Sequence, residues 1–261
     1  MTAVCDGLYC LLLGWEHSPE SISLAGGSAT QVLRLPVIGI LVHAPVGWVL
    51  LETGMDPGTC EDPETGGVVY NAGAPEFETA EPVPDALRAH GLDVDDLALA
   101  AVSHLHIDHA GGLRHLAGRV PVAAQRRELD FAFGPAGLAE AYVRGDYDAP
   151  TIEWRELDGD GQLTPGIDVL STPGHTPGHM SYRVNMAKSG PWLFAVDAID
   201  LQRGIDEDVE IGWSADPADA SARRASHDRL VALAAEQGAR LVPGHCPVTW
   251  PPLAARTDGF R

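Results

Sequence analysis

Four residues in a six-residue window, His104, His106, Asp108 and His109, form the densest cluster of metal-binding chemistry in the sequence. They follow an apolar run over 97–102 and precede Ala110-Gly111-Gly112. The spacing suits two cations. His104 and His106 lie two apart, so in an extended segment both imidazoles point the same way and can pinch one ion. Asp108 and His109 fall where the chain turns into a helix and can address a second ion. The glycines at 111 and 112 are expected to let the backbone pass close to the metals without a Cβ clash. Neutral imidazoles with a carboxylate are ordinary zinc ligands, and they also suit iron, manganese or cobalt.

Partners for this cluster recur further along. The run Thr172-Pro-Gly-His175-Thr-Pro-Gly-His179 offers two histidines just before a strand. Asp197 closes the apolar run WLFAVD, where an unpaired carboxylate is costly. His245 closes LVPGH in the same way. Alone, Asp197 reads equally well as a helix cap or a salt-bridged core acid, and the first cluster as a histidine-rich surface loop. Taken together, the groups favour metal ligation. His17, His43, His90, His115 and His227 read as surface or packing residues, and Cys246 as a buried thiol.

The elements that must position these groups are legible from periodicity. Residues 8–14, 32–43 and 47–52 read as strands, and a Gly/Pro/acidic stretch without sustained period follows. A short helix over 84–91 leads to the strand at 97–102. Helices are expected over 125–133 and 135–144, and short strands and turns over 150–171. Strands follow at 179–184 and 192–197. Asp216-Pro217 opens a helix that runs to Gly238, and a last strand covers 239–243. The strands fall in two groups, each followed by helices, with no Gly/Ser linker between them. That pattern implies an α/β (α+β) architecture of two packed sheets with helices outside, in a single domain over 1–261.

Composition narrows the function. Asp and Glu total 37 against 17 Lys and Arg, a formal net charge of −20, which repels a phosphate backbone. The basic pairs Arg126-Arg127 and Arg223-Arg224 read as solvated helix positions rather than a nucleic-acid surface. The apolar share of 45% is enough for a substantial core. The apolar run 8–15 lacks a basic flank, and Glu16 follows it at once, which argues against a signal peptide. No stretch approaches the roughly 20 apolar residues of a membrane span. Four cysteines without C-x-x-C spacing fit a reducing, cytoplasmic setting.

In the order and wording of these motifs the chain resembles the metallo-β-lactamase superfamily, from about residue 32 to His245. The resemblance implies a four-layered αββα sandwich. It also implies a ligand set: His104, His106 and His179 on one ion, Asp108, His109 and His245 on the other, and Asp197 bridging them. His175 is then left outside the set, holding its loop. Within the superfamily, LLETGMDPG (50–58), SHLHIDHAGG (103–112), STPGHTPGHMS (171–181) and VDA (196–198) look most like the quorum-quenching N-acyl-homoserine lactonases. That likeness implies two divalent ions, zinc first, and a hydroxide held between them that attacks a lactone carbonyl, with Asp108 shuttling the proton. The partner is a small-molecule lactone or ester, with no nucleic acid or membrane involved, and the protein acts as a monomer or homodimer.

Two positions depart from that family. Glu52 stands where the family has Asp. Asp200 stands where its lactonases carry a Tyr that polarises the substrate carbonyl, and an aspartate donates a hydrogen bond only when protonated. Tyr70, Tyr142, Tyr147 and Tyr182 are the remaining tyrosines to consider, each with packing as its ordinary role. Phe131, Phe133, Leu138 and Tyr142, with the 55–84 segment, are expected as walls for an acyl chain. Alternatives are a hydrolase of the same fold acting on another lactone, ester or thioester (glyoxalase II-like), and a non-catalytic metal-binding domain. The acidic balance disfavours a glutathione thioester substrate, and an exported β-lactamase would not use a bridging Asp197.

Overall fold

The computed structural model describes residues 4–62, 72–135 and 141–261. Eleven strands, among the described residues, form two sheets. The first runs β1 (Gly7–Pro19), β2 (Val32–Ala44), β3 (Gly47–Leu51), β4 (Leu97–Ala101), β5 (Val122–Gln125), β6 (Trp154–Leu157) in spatial as in chain order. β1, β2 and β3 pair antiparallel, and β3 to β6 pair parallel. The second sheet runs β11 (Arg240–Pro243), β10 (Gly190–Val196), β9 (Met180–Met186), β8 (Ile167–Ser171), β7 (Gly161–Thr164), antiparallel except for the parallel β10–β11 pair.

Strict alternation builds the layers. Ile38, Ile40, Val42, Val49 and Leu51 of the first sheet meet Val169, Tyr182, Val184, Trp192 and Phe194 of the second in one buried core. The intervening residues face outward. Val37, Leu41 and Leu50 pack under helices from the first half, with Leu87, Leu113 and Leu129. Leu193 and Ala195 pack under Leu230 and Ala234 of the long helix Ala220–Gln237. Each fully buried Leu, Ile, Val or Phe side chain contributes about 1.5–3 kcal/mol. The result is helix on sheet on sheet on helix, the sandwich expected.

Smaller elements complete the frame: α1 (Glu20–Ser23), α2 (Pro82–Ala89), α3 (Ile107–Ala110), α4 (Arg126–Phe133), α5 (Arg144–Tyr147) and α6 (Ala220–Gln237). Gly238 ends α6 in the left-handed conformation at φ 60°, as the sequence suggests. Three elements differ from expectation. β5 gives little signal of its own, because a four-residue Val-Ala-Ala-Gln run reads as the lead-in to α4. β1 continues past residue 14 to Pro19, since a register shift between Leu12 and Gly14 lets it keep pairing with β2 as far as Val32. The helix expected over 135–144 does not form at its described end. Ala141 takes φ 72°, and Tyr142 pairs its backbone with His106. Leu138, with the rest of 136–140, lies outside the described residues, as does Tyr70.

Candidate metal centre

The site collects at strand ends. Glu52 and Thr53 follow β3, Ser103 and His104 follow β4, His179 precedes β9, Asp197 follows β10 and His245 follows β11. Two of these turns hold non-glycine residues in the left-handed region, Glu52 at φ 64° and Val196 at φ 49°. A β-branched residue there is strained, by a cost of order 1–3 kcal/mol that the surrounding structure must outweigh. The glycines after α3 serve a purpose other than the one expected. A Cβ on Gly111 would lie 2.2 Å from the backbone nitrogen of Asp56, and one on Gly112 2.3 Å from the carbonyl of Thr53. They let α3 dock on the 53–56 turn rather than approach the metals.

Donor atoms converge in overlapping groups. Those of Asp108, His109, Asp197 and His245 all lie within 4.8 Å of one another, as do those of His104, His179 and Asp197, and those of His104, His106 and His175. Four imidazoles are anchored through Nδ1, leaving Nε2 for a ligand. His109 Nδ1 donates to Glu52 Oε2 (2.6 Å) and His245 Nδ1 to the Pro36 carbonyl (2.9 Å). His179 Nδ1 donates to the Thr172 carbonyl (3.1 Å), and His104 Nδ1 to Ser103 Oγ (2.9 Å). His106 is turned the other way, with Nδ1 3.0 Å from both His104 Nε2 and His175 Nε2. Buried His106 Nε2 has no hydrogen-bond partner, while His109 Nε2 lies 3.0 Å from Asp108 Oδ2 and 3.1 Å from Asp197 Oδ1. Neutral imidazole donors, carboxylates between them and an unsatisfied buried ring nitrogen fit a pair of divalent cations.

His175, expected outside the set, lies close beside it. Its Nε2 lies 3.3 Å from Asp197 Oδ2, and the residue lines the cavity above the cluster, beside Trp213. His179, by contrast, is fully buried behind it.

Electrostatics divide the cluster. Burial, with the neighbouring imidazoles, drives His104 and His106 well below the usual histidine range. Burial lowers His179 to about 3, although Asp197 opposes the shift. For His109 and His245 burial is outweighed by the carboxylates, chiefly Asp108 and Asp197 for His109 and Asp197 for His245, and both are raised. Burial would raise Asp108, but His109 and then His245 hold it at about 2. Asp197 is likewise held well down by His109, His245 and His175 against the effect of burial.

Two buried carboxyls brace the cluster from behind. Glu52 Oε1 accepts from Ser103 N (2.8 Å) and Tyr182 Oη (2.6 Å), and its Oε2 accepts from Ser103 Oγ (3.1 Å) as well as from His109. The longer acid thus supports His109 and the 103–104 turn from behind. Glu128 accepts from Leu105 N (3.0 Å), Tyr142 Oη (2.8 Å), Thr176 Oγ1 (2.7 Å) and Gly178 N (3.2 Å). It therefore ties the His104–His106 loop to the loop carrying His175 and His179. Sequence reasoning misses this role, because a Glu on an amphipathic helix gives no sign of burial.

A cavity of about 320 Å³ opens over Asp108, Asp197 and His245. Its other walls come from the end of β1 (Glu16, His17, Ser18, Pro19), from α1 (Ile22, Ser23), and from Leu35, Asp200 and Trp213. The aromatic walls expected from α4 are elsewhere. Phe131 packs on Tyr142 and Phe133 on Tyr147, within the outer helical layer. Tyr142, Tyr147 and Tyr182 turn their hydroxyls to Glu128, the Ala132 carbonyl and Glu52, so none faces the cavity. His17, expected as an ordinary surface residue, stands at the rim instead. Burial and then Asp108 push the Glu16 carboxyl up to about 8. Asp200 is raised well above the carboxylate range by burial and Asp197.

Known proteins resemble this chain in sequence and fold. A profile of the metallo-beta-lactamase superfamily matches residues 38–245. The N-acyl homoserine lactonase AttM of Azorhizobium caulinodans is 34% identical over 233 residues, 84% of each chain. AttM of Agrobacterium fabrum is 31% identical over 83% of this chain and 84% of its own. A solved N-acyl homoserine lactone hydrolase, with the product N-hexanoyl-L-homoserine at its catalytic metal center, superposes with a TM-score of 0.82. It shares 27% identity over 94% of this chain and 95% of that one.

Proposed function

The chain belongs to the metallo-beta-lactamase superfamily, and from that premise we propose that it is a two-metal hydrolase opening the ring of N-acyl homoserine lactones. The observation that carries this reading is a pair of donor groups that share Asp197, with Asp108, His109 and His245 on one side and His104 and His179 on the other, and a cavity directly above them. His104, His106 and His179 would hold one ion, Asp108, His109 and His245 the other, and Asp197 both. We take the ions to be zinc, the protein to be one domain over 1–261, and its compartment to be the cytoplasm. No helix among the described residues is long and apolar enough to cross a membrane.

Two bound divalent ions supply a water acidic enough to ionise near neutral pH and a Lewis acid for the carbonyl oxygen. The chain does the rest. Asp108 lines the cavity, and its carboxylate is placed to take the proton of the attacking water and pass it to the departing ring oxygen. His175 and Trp213 fix one wall, and Ile22, Leu35 and Pro19 offer an apolar one for the acyl chain. Asp108→Asn should lower kcat by more than it lowers first-ion affinity, and a wild-type kcat would end that role.

The test is proton release by metal-loaded protein on short- and long-chain acyl-homoserine lactones, with a γ-lactone, a thioester and a β-lactam alongside and metal content measured. Fast opening of the homoserine lactones with about two ions bound per chain supports the reading. Ions without lactone opening would leave the fold and the cluster and discard the substrate. Asp200, standing where related lactonases carry Tyr, favours as second reading another lactone, ester or thioester.

A further inference from the structure

Asp200 is 4% exposed, and its Oδ1 has no hydrogen-bond partner. Ser23, 1% exposed on α1, likewise leaves its Oγ without one. Both residues line the cavity above the metal ligands, and Glu16 joins them from the end of β1. Among the described residues no lysine or arginine lines this cavity. The wall therefore presents oxygens that can accept, with no lysine or arginine paired to them. A carboxyl oxygen in such a place calls for a ligand that donates.

An acyl-homoserine lactone carries one such donor near its reacting end, the amide N–H on the ring carbon next to the carbonyl. The acceptor wall adjoins Asp197 and His245 in the same cavity, so it is close to the ring rather than to the far end of the acyl chain. We propose that Asp200, Ser23 and Glu16 form a subsite that accepts the substrate's amide N–H and thereby selects N-acyl lactones over their O-acyl counterparts. The assignment rests on the lactonase reading and gives this chain a substrate contact at the position where its relatives carry a phenol.

The test compares N-hexanoyl homoserine lactone with the hexanoyl ester of α-hydroxy-γ-butyrolactone, identical but for N–H replaced by oxygen. For each, kcat/KM is divided by the hydroxide-catalysed rate. A site built to hydrogen-bond a donor rejects the analogue lacking it strongly, and about 100-fold is expected here. Asp200→Leu should shrink the ratio to about 3-fold or less, mainly through KM, while Asp200→Asn, which keeps an acceptor oxygen, should retain most of it. Ser23→Ala, read alongside in case the leucine variant fails to fold, should lower the ratio severalfold. A wild-type ratio near unity overturns the proposal, as does a ratio unchanged in both Asp200→Leu and Ser23→Ala. If the two-metal protein opens neither lactone, the proposed function itself fails. The subsite is then judged by calorimetric binding of the two lactones, where equal affinity overturns it.

Discussion

Replacing Glu52 by Gln should expose how strongly the protein backs its histidines. Glu52 is fully buried, and each of its oxygens accepts twice. The amide of Gln offers one oxygen and one NH2, so two of the four donors lose their acceptor. If NH2 takes the place of Oε1, Ser103 N–H faces another donor and Tyr182 must turn its hydroxyl. An unsatisfied buried donor costs about 1–3 kcal/mol. If NH2 takes the place of Oε2, His109 must accept on Nδ1. Its proton then moves to Nε2, the nitrogen that points at Asp108 and Asp197 (3.0 and 3.1 Å), and that position is closed to a metal. Loss of such a support typically weakens metal binding about 10- to 100-fold. Melting of metal-free protein by calorimetry reads the first cost, and chelator competition reads the second. About 2 kcal/mol corresponds to a fall of roughly 4–8 °C in Tm for a chain of this size. A variant that melts within about 1 °C of wild type and binds both ions as tightly would refute the reasoning.

Glu128→Ala strips the acceptor from four buried donors at once, and should cost about 3–5 kcal/mol by denaturant titration and weaken the first ion's binding as its two loops separate. Asp146 gives a pH-dependent test. Burial raises its carboxyl to about 6, and its Oδ2 has no hydrogen-bond partner. Because the folded pKa lies above the unfolded value of about 3.9, Asp146 weakens the fold increasingly as pH rises from 4 to 6 and fully above that. Asp146→Asn should therefore gain on the order of 1–2 kcal/mol at pH 8 and nothing at pH 4, and equal gains at both would contradict the shift. Chelation of the loaded protein should lower Tm, since an ion at about 100 times its Kd contributes roughly 2.7 kcal/mol; a Tm indifferent to chelator would mean that no structural ion is held.

Most of the proposed ligands are legible in the sequence because they sit at the end of an apolar run, where a polar group is costly unless a cation or a partner meets it. His104 to His109, Asp197 and His245 carry that signal within a few residues of chain. The cavity wall carries none. Glu16 and His17 reach it because a register shift near Leu13 keeps β1 paired with β2 for four residues beyond the visible apolar run. Ser23 rides on a four-residue helix with no periodicity to detect. Glu128 and Tyr182 read as surface and packing residues, since their partners lie 14 to 130 positions away. The position of Asp200 is visible only by resemblance, and its burial only in the fold.

The acid-lined cavity treats arriving and departing molecules differently. A lactone enters uncharged and is indifferent to the surrounding field. Ring opening leaves a hydroxy acid that is an anion at neutral pH, formed beside the carboxylates of Asp108 and Asp197 in a chain of net charge −20. Bound cations would hold that anion, and the net negative charge of the chain opposes them, more strongly as salt is diluted. On the proposed reaction, that field would favour release of the acid over its return.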